Sequence, residues 1–122
     1  GTYIFDPDMK HFFAIVIPNE SGKTKDAKMK LSNFNSTSFS KSKLKTSSTF
    51  LDQDTQLVLV KEFKNKKAAH DYYLAFKVNK KQVKSLNDAY SYFVITNKNY
   101  ASLMIEKSLS DYLAFFKKNY AK

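Results

Sequence analysis

Side chains that commonly carry out catalysis are few in this chain of 122 residues, and they do not cluster. The chain has no cysteine, which excludes thiol chemistry and disulfides. His11 and His70 have no partner at a metal-ligand spacing, and with only two glycines and no glycine-rich motif a phosphate-cradling loop is hard to build. Asp52 and Asp54 flank one glutamine between apolar runs, where aspartate is ordinary turn chemistry. We therefore expect no enzyme activity, no metal and no cofactor.

Positive charge is the most prominent chemical feature of the sequence. The formal net charge is +10, and every basic residue is lysine. Lysine lacks the planar fork with which arginine binds phosphate or guanine, so specific nucleic-acid binding is not expected. The densest stretch, from Lys61 to Lys84, holds eight lysines against Glu62 and Asp71. It is either a solvated helix face with its loop or a docking surface for an anionic polymer or acidic protein.

Length and composition predict one domain over residues 1–122. The hydrophobic fraction of 43% is enough for a core, and no apolar run approaches the ~20 residues of a bilayer span. The chain begins with Gly1 rather than Met, so we expect a fragment of a longer protein. Residues 1–10 form an N-terminal segment in this scheme, and residues 97–122 form a helical C-terminal extension.

Residues 56–77 organise the predicted secondary structure, since they combine an apolar strand, a lysine-rich turn and an amphipathic helix. Asn65 is the expected cap of that helix, and Thr24, Asn97 and Ser108 are the expected caps of three others. The polar residues 79–87 are expected to be irregular. The predicted strands are 11–17, 43–51, 56–63 and 90–96, and the predicted helices are 26–35, 66–77, a short helix after Asn97 and a last helix up to Tyr120.

This order predicts an α+β fold of the ferredoxin-like β-α-β-β-α-β type. The crossover rule places the first and third strands in the middle of a four-stranded antiparallel sheet with order 4-1-3-2, and two C-terminal helices follow. Those two strands are apolar on both faces, whereas two helices cover only one face. We therefore expect the last helix to pack over or beside the sheet, and a self-partner or the parent protein to close the rest. The candidate interaction surface comprises Phe12, Ala14, Val16, Leu57, Leu59, Lys61, Lys64, Lys66 and Lys67.

RNA binding is an alternative that the same topology allows. RNA recognition domains stack bases on aromatic side chains at set positions of the two central strands. The third strand, QLVLVKEF, carries aliphatic residues at the places where that pattern has aromatics. Phe12 and Phe13 in the first strand are also explained by an apolar buried strand.

The chain as a whole resembles the C-terminal domain of the large tetratricopeptide-repeat lipoproteins of type IX secretion and gliding motility. The resemblance runs through LSNFNSTSFS, LDQDTQLVLVKEFKNKKAAHDYYLAFK, FVITNKNY and DYLAFFKKNY, roughly residues 3–120. It implies a cell-envelope location, outer-membrane association through the lipid anchor of the parent protein, and a role in assembling a secretion machine. The function it implies is a non-catalytic protein-interaction or scaffolding module whose partners are other envelope proteins or a second copy.

The strand–helix units also resemble the sporulation-related (SPOR) peptidoglycan-binding domain. LVLVKEFKNKKAAHDYYLAF is similar to its second half, with Val60, Phe63, Ala68 and Phe76 at framework positions. Lys61 and Glu62 stand where that family usually has Gly-Pro. This resemblance implies, as the alternative function, a glycan-binding domain that uses the sheet face.

Overall fold

A four-stranded antiparallel sheet forms the centre of the molecule in the computed structural model, which describes residues 2–120. The order β2-β3-β1-β4 is the predicted order, with the two most apolar strands in the middle. β1 pairs with both β3 and β4, so it has a hydrogen-bonded neighbour strand along each of its edges. The strands are β1 His11–Pro18, β2 Lys45–Asp52, β3 Thr55–Phe63 and β4 Tyr92–Thr96.

Five helices and two short 3-10 turns connect or follow the strands. The chain is therefore α+β, as predicted. The helices are α1 Thr24–Ser38, α2 Lys66–Val78, α3 Lys84–Asn87, α4 Asn97–Glu106 and α5 Leu109–Asn119, and the 3-10 turns are Asn19–Ser21 and Ser40–Ser42. Within residues 2–120, no helix has both the length and the apolarity that a membrane crossing needs.

Two of the predicted helix caps are wrong. α1 begins at Thr24 itself, and its cap position is Lys23. α4 is capped by Thr96, whose hydroxyl accepts from the Asn99 backbone N–H at 3.0 Å, so Asn97 is already helical. The polar hydroxyl and amide residues near each start fit more than one cap position, and the side-chain geometry selects among them.

The polar segment 79–88 is more ordered than predicted, because it contains α3. The side-chain oxygen of Asn79 accepts from the backbone N–H groups of three following residues. The amide of Asn87 donates to the carbonyls of Phe76 and Asn79. Val83 and Leu86 are buried beneath this network. Side-chain hydrogen bonds thus close the turn in place of backbone bonds.

One face of the sheet packs against α1 and α2 through aromatic rings. Phe13 in β1 contacts Tyr72 and Phe76 of α2, with ring centres 4.9 Å apart in both pairs. Phe34 of α1 contacts the same Tyr72 at 5.6 Å. All four rings are essentially inaccessible to solvent. Because the aromatic surfaces bury large apolar areas, this layer supplies much of the core.

The second face of the sheet is also covered, whereas a self-partner or the parent protein was expected to close what the last helix leaves open. Phe12 and Ala14 alternate with Phe13 and point to this face, yet both are buried. Tyr100 of α4 meets Phe12 edge-on at 5.4 Å, and Leu103 of α4 is fully buried. The chain therefore closes this face itself, since α4 folds back directly from the end of β4.

The free edge of β4 is occupied by α5, which lies beside the sheet. The Tyr112 hydroxyl donates to the Val94 carbonyl at 2.6 Å. Phe116 contacts Phe93 of β4 at 6.3 Å and Tyr73 of α2 at 5.3 Å. The helix thus covers the strand edge and joins the two sides of the sheet.

Candidate functional site

The candidate surface that remains accessible surrounds the turn from β3 into α2. Lys61 lies near the end of β3, and its Nζ is 4.8 Å from the ring centre of Phe12 and 5.9 Å from that of Tyr100. Lys66 begins α2, and its Nζ is 5.9 Å from the ring centre of Phe5. Cation–π attraction therefore positions two ammonium groups on aromatic faces instead of leaving them fully mobile.

Backbone contacts hold this turn in place. The side-chain oxygen of Asn65 accepts from the Ala68 backbone N–H at 3.0 Å, which confirms Asn65 as the cap of α2. The backbone N–H of Lys66 donates to the Pro7 carbonyl at 2.8 Å. The N-terminal segment and α2 therefore meet at the lysine turn and limit its motion.

Little acidic charge offsets these lysines. Lys67 pairs with Asp71 at 3.1 Å, but both side chains are exposed, so the pair contributes little. Lys64 and Lys66 form no ion pair within residues 2–120. Lys64 is exposed and Lys66 half-buried. The turn thus presents net positive charge on an ordered backbone.

The apolar members of the predicted surface lie elsewhere. Phe12, Ala14, Leu57 and Leu59 are buried in the core of the chain itself, and Val16 is half-buried. Ala14 lies opposite Leu59 and Val16 opposite Leu57 in the β1–β3 pair, so these side chains share one face of the sheet. What the sequence did not show is that Phe12, Ala14, Leu57 and Leu59 are buried within the chain, with Tyr100 of α4 on Phe12, so these four side chains have no free surface to offer.

His11 is fully buried and links three parts of the fold. Its Nδ1 lies 2.7 Å from the Met9 carbonyl oxygen and donates to it, because a carbonyl can only accept. In the neutral ring Nε2 then accepts from the Tyr120 hydroxyl at 2.9 Å. Burial lowers the pKa of His11, with a smaller opposing effect from the Met9 hydrogen bond. Burial raises the pKa of Tyr120 to about 12. The pair is therefore neutral near pH 7 and joins β1 to the end of α5.

A second polar contact that the sequence did not indicate lies under α1. Asn35 is buried, and its side-chain oxygen accepts from the hydroxyl of Tyr72. Desolvation raises the pKa of Tyr72 well above its ordinary value. The amide nitrogen of Asn35 has no partner within residues 2–120. A neutral, buried hydroxyl–amide pair of this kind fixes packing and offers no general acid or base near pH 7.

An open cleft of about 540 Å³ lies between the N-terminal segment and α5. The Tyr3 hydroxyl is buried beside it, and desolvation raises the Tyr3 pKa, with smaller contributions from Glu106 and Asp111. A tyrosine with a raised pKa keeps its proton at neutral pH, so Tyr3 supplies no activated base to the cleft. Elsewhere in residues 2–120, no three metal-binding side chains come together.

Asp52 and Asp54 occupy the hairpin turn, as predicted. The side-chain oxygen of Asp52 accepts from the Asp54 backbone N–H at 2.9 Å, which is the local turn bond expected of aspartate. The two carboxylates are therefore part of the β2–β3 connection. His70 lies half-buried on α2 and stacks on Tyr73 at 5.7 Å.

Comparison with known proteins assigned no relative. No family model, no curated protein and no solved structure matched the chain significantly.

Proposed function

We propose that the chain is a non-catalytic protein-interaction or scaffolding module of an envelope lipoprotein that serves secretion or gliding. Its partners in this proposal are other envelope proteins with acidic surfaces. The fold that carries it is the ferredoxin-like arrangement, which the order of elements and the strand order support. The cellular setting comes from the resemblance to the tetratricopeptide-repeat lipoproteins.

The observation that carries the proposal is the ordered lysine turn between β3 and α2. Lys61 and Lys66 rest on aromatic rings, and Lys64 and Lys67 extend from the same turn. A positively charged surface whose side chains are partly held in place loses less conformational entropy on binding than a mobile one. It also attracts an acidic partner from a distance and speeds association.

Peptidoglycan binding through the sheet face is the alternative, and the packing argues against it. Ala14, Leu57 and Leu59 lie on the face that a glycan would occupy, and all three are buried. The same burial applies to Phe12, so the face offers no aromatic platform for stacking RNA bases. An acidic protein at the lysine turn requires no such opening.

Capture from envelope extracts tests the main proposal. We expect the immobilised chain to retain envelope proteins with acidic surfaces, and K64E/K67E to lose them. The matched control is K80E/K81E, which changes the net charge equally at a separate exposed site. An equal loss of retained protein in both double variants would show that total charge, and not this turn, governs binding.

Sedimentation with purified peptidoglycan at low salt tests the alternative. Low salt favours even weak charge-driven attachment, so it is the most permissive condition. We expect the chain to stay in the supernatant. Cosedimentation that survives both low and physiological salt would support the glycan-binding function instead.

A further inference from the structure

The two edges of the sheet differ in a way that the proposed function does not use. α5 covers the β4 edge, with the Tyr112 hydroxyl on the Val94 carbonyl. At the other edge, no backbone hydrogen bond within residues 2–120 joins residues 45–51 to any strand or loop except β3. α1 reaches β2 only from the face, where Ser32 bonds to Thr46 at 2.8 Å. The outward backbone groups of β2 are thus open to a further strand.

Charge is divided between the two ends of this open edge. Lys41, Lys43 and Lys45 lie at the start of β2, and Asp52 and Asp54 lie at its end. None of the five forms an ion pair within residues 2–120. In an antiparallel pair of two β2 strands, the lysine end of each strand lies beside the aspartate end of the other. A parallel pair would instead place like charges together.

We infer that β2 pairs with β2 of a second copy, antiparallel and two-fold symmetric, so that two sheets join into one of eight strands. The interface is self-complementary, as a two-fold interface must be. Eight residues of β2 supply the pairing, and both charged ends gain partners. This inference goes beyond the proposed function and uses a different surface from the lysine turn.

The middle of the edge suits such a seam. Phe50 is 54% exposed, a high value for a phenylalanine in a strand. In an antiparallel pair centred on Thr49, the Phe50 ring of each copy lies opposite the small side chain of Ser48 of the other, on the same face of the sheet. The ring would cover the new backbone hydrogen bonds and lose exposed apolar area. The small serine leaves room for it.

The net charge of +10 on each copy opposes pairing, but at a longer range than the attraction. Paired strands lie about 4.8 Å apart, whereas the Debye length is about 8 Å at physiological ionic strength. Repulsion between the two bodies is therefore largely screened, while the charges at the seam still interact. An acidic peptide added to the same edge would satisfy the lysine end but would face repulsion from Asp52 and Asp54.

Sedimentation velocity over a wide concentration range tests the inference. We expect wild type to show a monomer–dimer equilibrium at physiological ionic strength. K43E/K45E makes both ends of the edge acidic. D52N/D54K makes the aspartate end basic, while the asparagine introduced at position 52 keeps the side-chain oxygen that the turn requires. We expect the dimer dissociation constant of each variant alone to rise at least about tenfold. The reason is that the reversed surface ion pairs together cost more than ~1.4 kcal/mol of binding free energy.

An equimolar mixture of the two variants is the decisive measurement. Their edges are complementary to each other, so we expect the mixture to form heterodimers although neither variant pairs well alone. K80E/K81E is the control for total charge and should dimerise like wild type. Wild type that stays monomeric at every concentration would overturn the inference, as would variants that dimerise unchanged. Circular dichroism of each variant verifies that it is folded.

Discussion

At the scale of single residues, buried tyrosine hydroxyls provide polar links within a largely apolar core. Tyr112 donates to the Val94 carbonyl, Tyr72 donates to Asn35, and Tyr120 donates to His11. Desolvation raises the pKa of each of the three tyrosines. Each therefore stays protonated and able to donate over the whole pH range in which the protein would be studied.

Replacing Tyr112 with phenylalanine tests the value of one such link. Y112F keeps the ring but leaves the buried Val94 carbonyl without its partner, so we expect the free energy of unfolding to fall by about 1–3 kcal/mol. Urea denaturation measures this change. Tyr100 serves as the control, because it is a half-buried tyrosine whose hydroxyl has no hydrogen bond within residues 2–120. A similar loss for Y100F and Y112F would contradict the assigned role.

His11 makes stability depend on pH in a defined direction. Its pKa is lowered in the folded state, mainly by burial, so the unfolded chain binds the proton more readily. The contribution to stability is present above the unfolded pKa of about 6.5 and is lost as pH falls below it. We expect the free energy of unfolding to decrease between pH 7.5 and 5.5, before most carboxylates titrate.

The matched variants for this prediction are H11Q and H70Q. H11Q removes the buried imidazole, and the pH dependence in that window should become much shallower. H70Q alters the half-buried histidine on α2 and should keep the wild-type slope. If wild type and H11Q show the same slope, another group is responsible.

At the scale of elements, side-chain caps distinguish helices that look alike in sequence. Asn65 caps α2 with a hydrogen bond to the Ala68 N–H, whereas Ser108 occupies the cap position of α5 without a side-chain bond. Both were predicted as caps from residue type. Whether a cap residue actually bonds depends on its χ1 angle and its neighbours, which the sequence does not specify.

Alanine substitution at the two positions makes this difference measurable. We expect N65A to lower the free energy of unfolding by about 1 kcal/mol and S108A to change it by a few tenths at most. Thermal and urea unfolding of both variants give the comparison. An S108A loss as large as that of N65A would mean that Ser108 does bond to α5 in solution.

Most elements could be predicted because their signals are local. The continuous apolar runs of β1 and β3 predicted central strands, and periodic apolar residues predicted α1, α2 and α5. α3 was missed because only Val83 and Leu86 mark it within a polar stretch. Its four residues are held by the Asn79 turn, and such a network becomes visible only in three dimensions.

At the scale of the whole molecule, the core is continuous across the sheet and the C-terminal helices. Buried residues from the first strand to Tyr120 form one cluster. Tyr112 and Phe116 of α5 belong to it, together with Leu103 of α4. The predicted C-terminal extension is therefore built into the same core as β1 and β3, and removal of either helix would expose apolar residues of the sheet.

A single unfolding transition is the consequence that can be measured. We expect far-ultraviolet circular dichroism and tyrosine fluorescence to report the same midpoint in urea, because no part of the core is separable. This also tests the prediction of one domain. An early fluorescence transition, with the sheet still folded, would indicate that the C-terminal helices form a unit of their own.

The candidate site shows the same division between local and distant information. The sequence identified the lysines of the β3–α2 turn, and the structure places them on an ordered turn. It also predicted an open apolar face at Phe12, Ala14, Leu57 and Leu59, which α4 in fact helps to bury. Alternation along a strand reveals that both faces need cover, but it does not say which element supplies the cover.

Composition excluded cysteine chemistry. Local periodicity and turn chemistry predicted the strands, their order and the lysine-rich turn after β3. These depend on residues close together in the chain or on general rules of strand connection. The path of the last two helices was decided only by the tertiary structure. α4 turns onto one face of the sheet, where Tyr100 contacts Phe12 and Leu103 is buried. α5 packs along the β4 edge, where Tyr112 and Phe116 contact Phe93 and the Tyr112 hydroxyl bonds to the Val94 carbonyl. Their contacts join residues that are far apart in the sequence, and the outer edge of β2 has no backbone partner within residues 2–120.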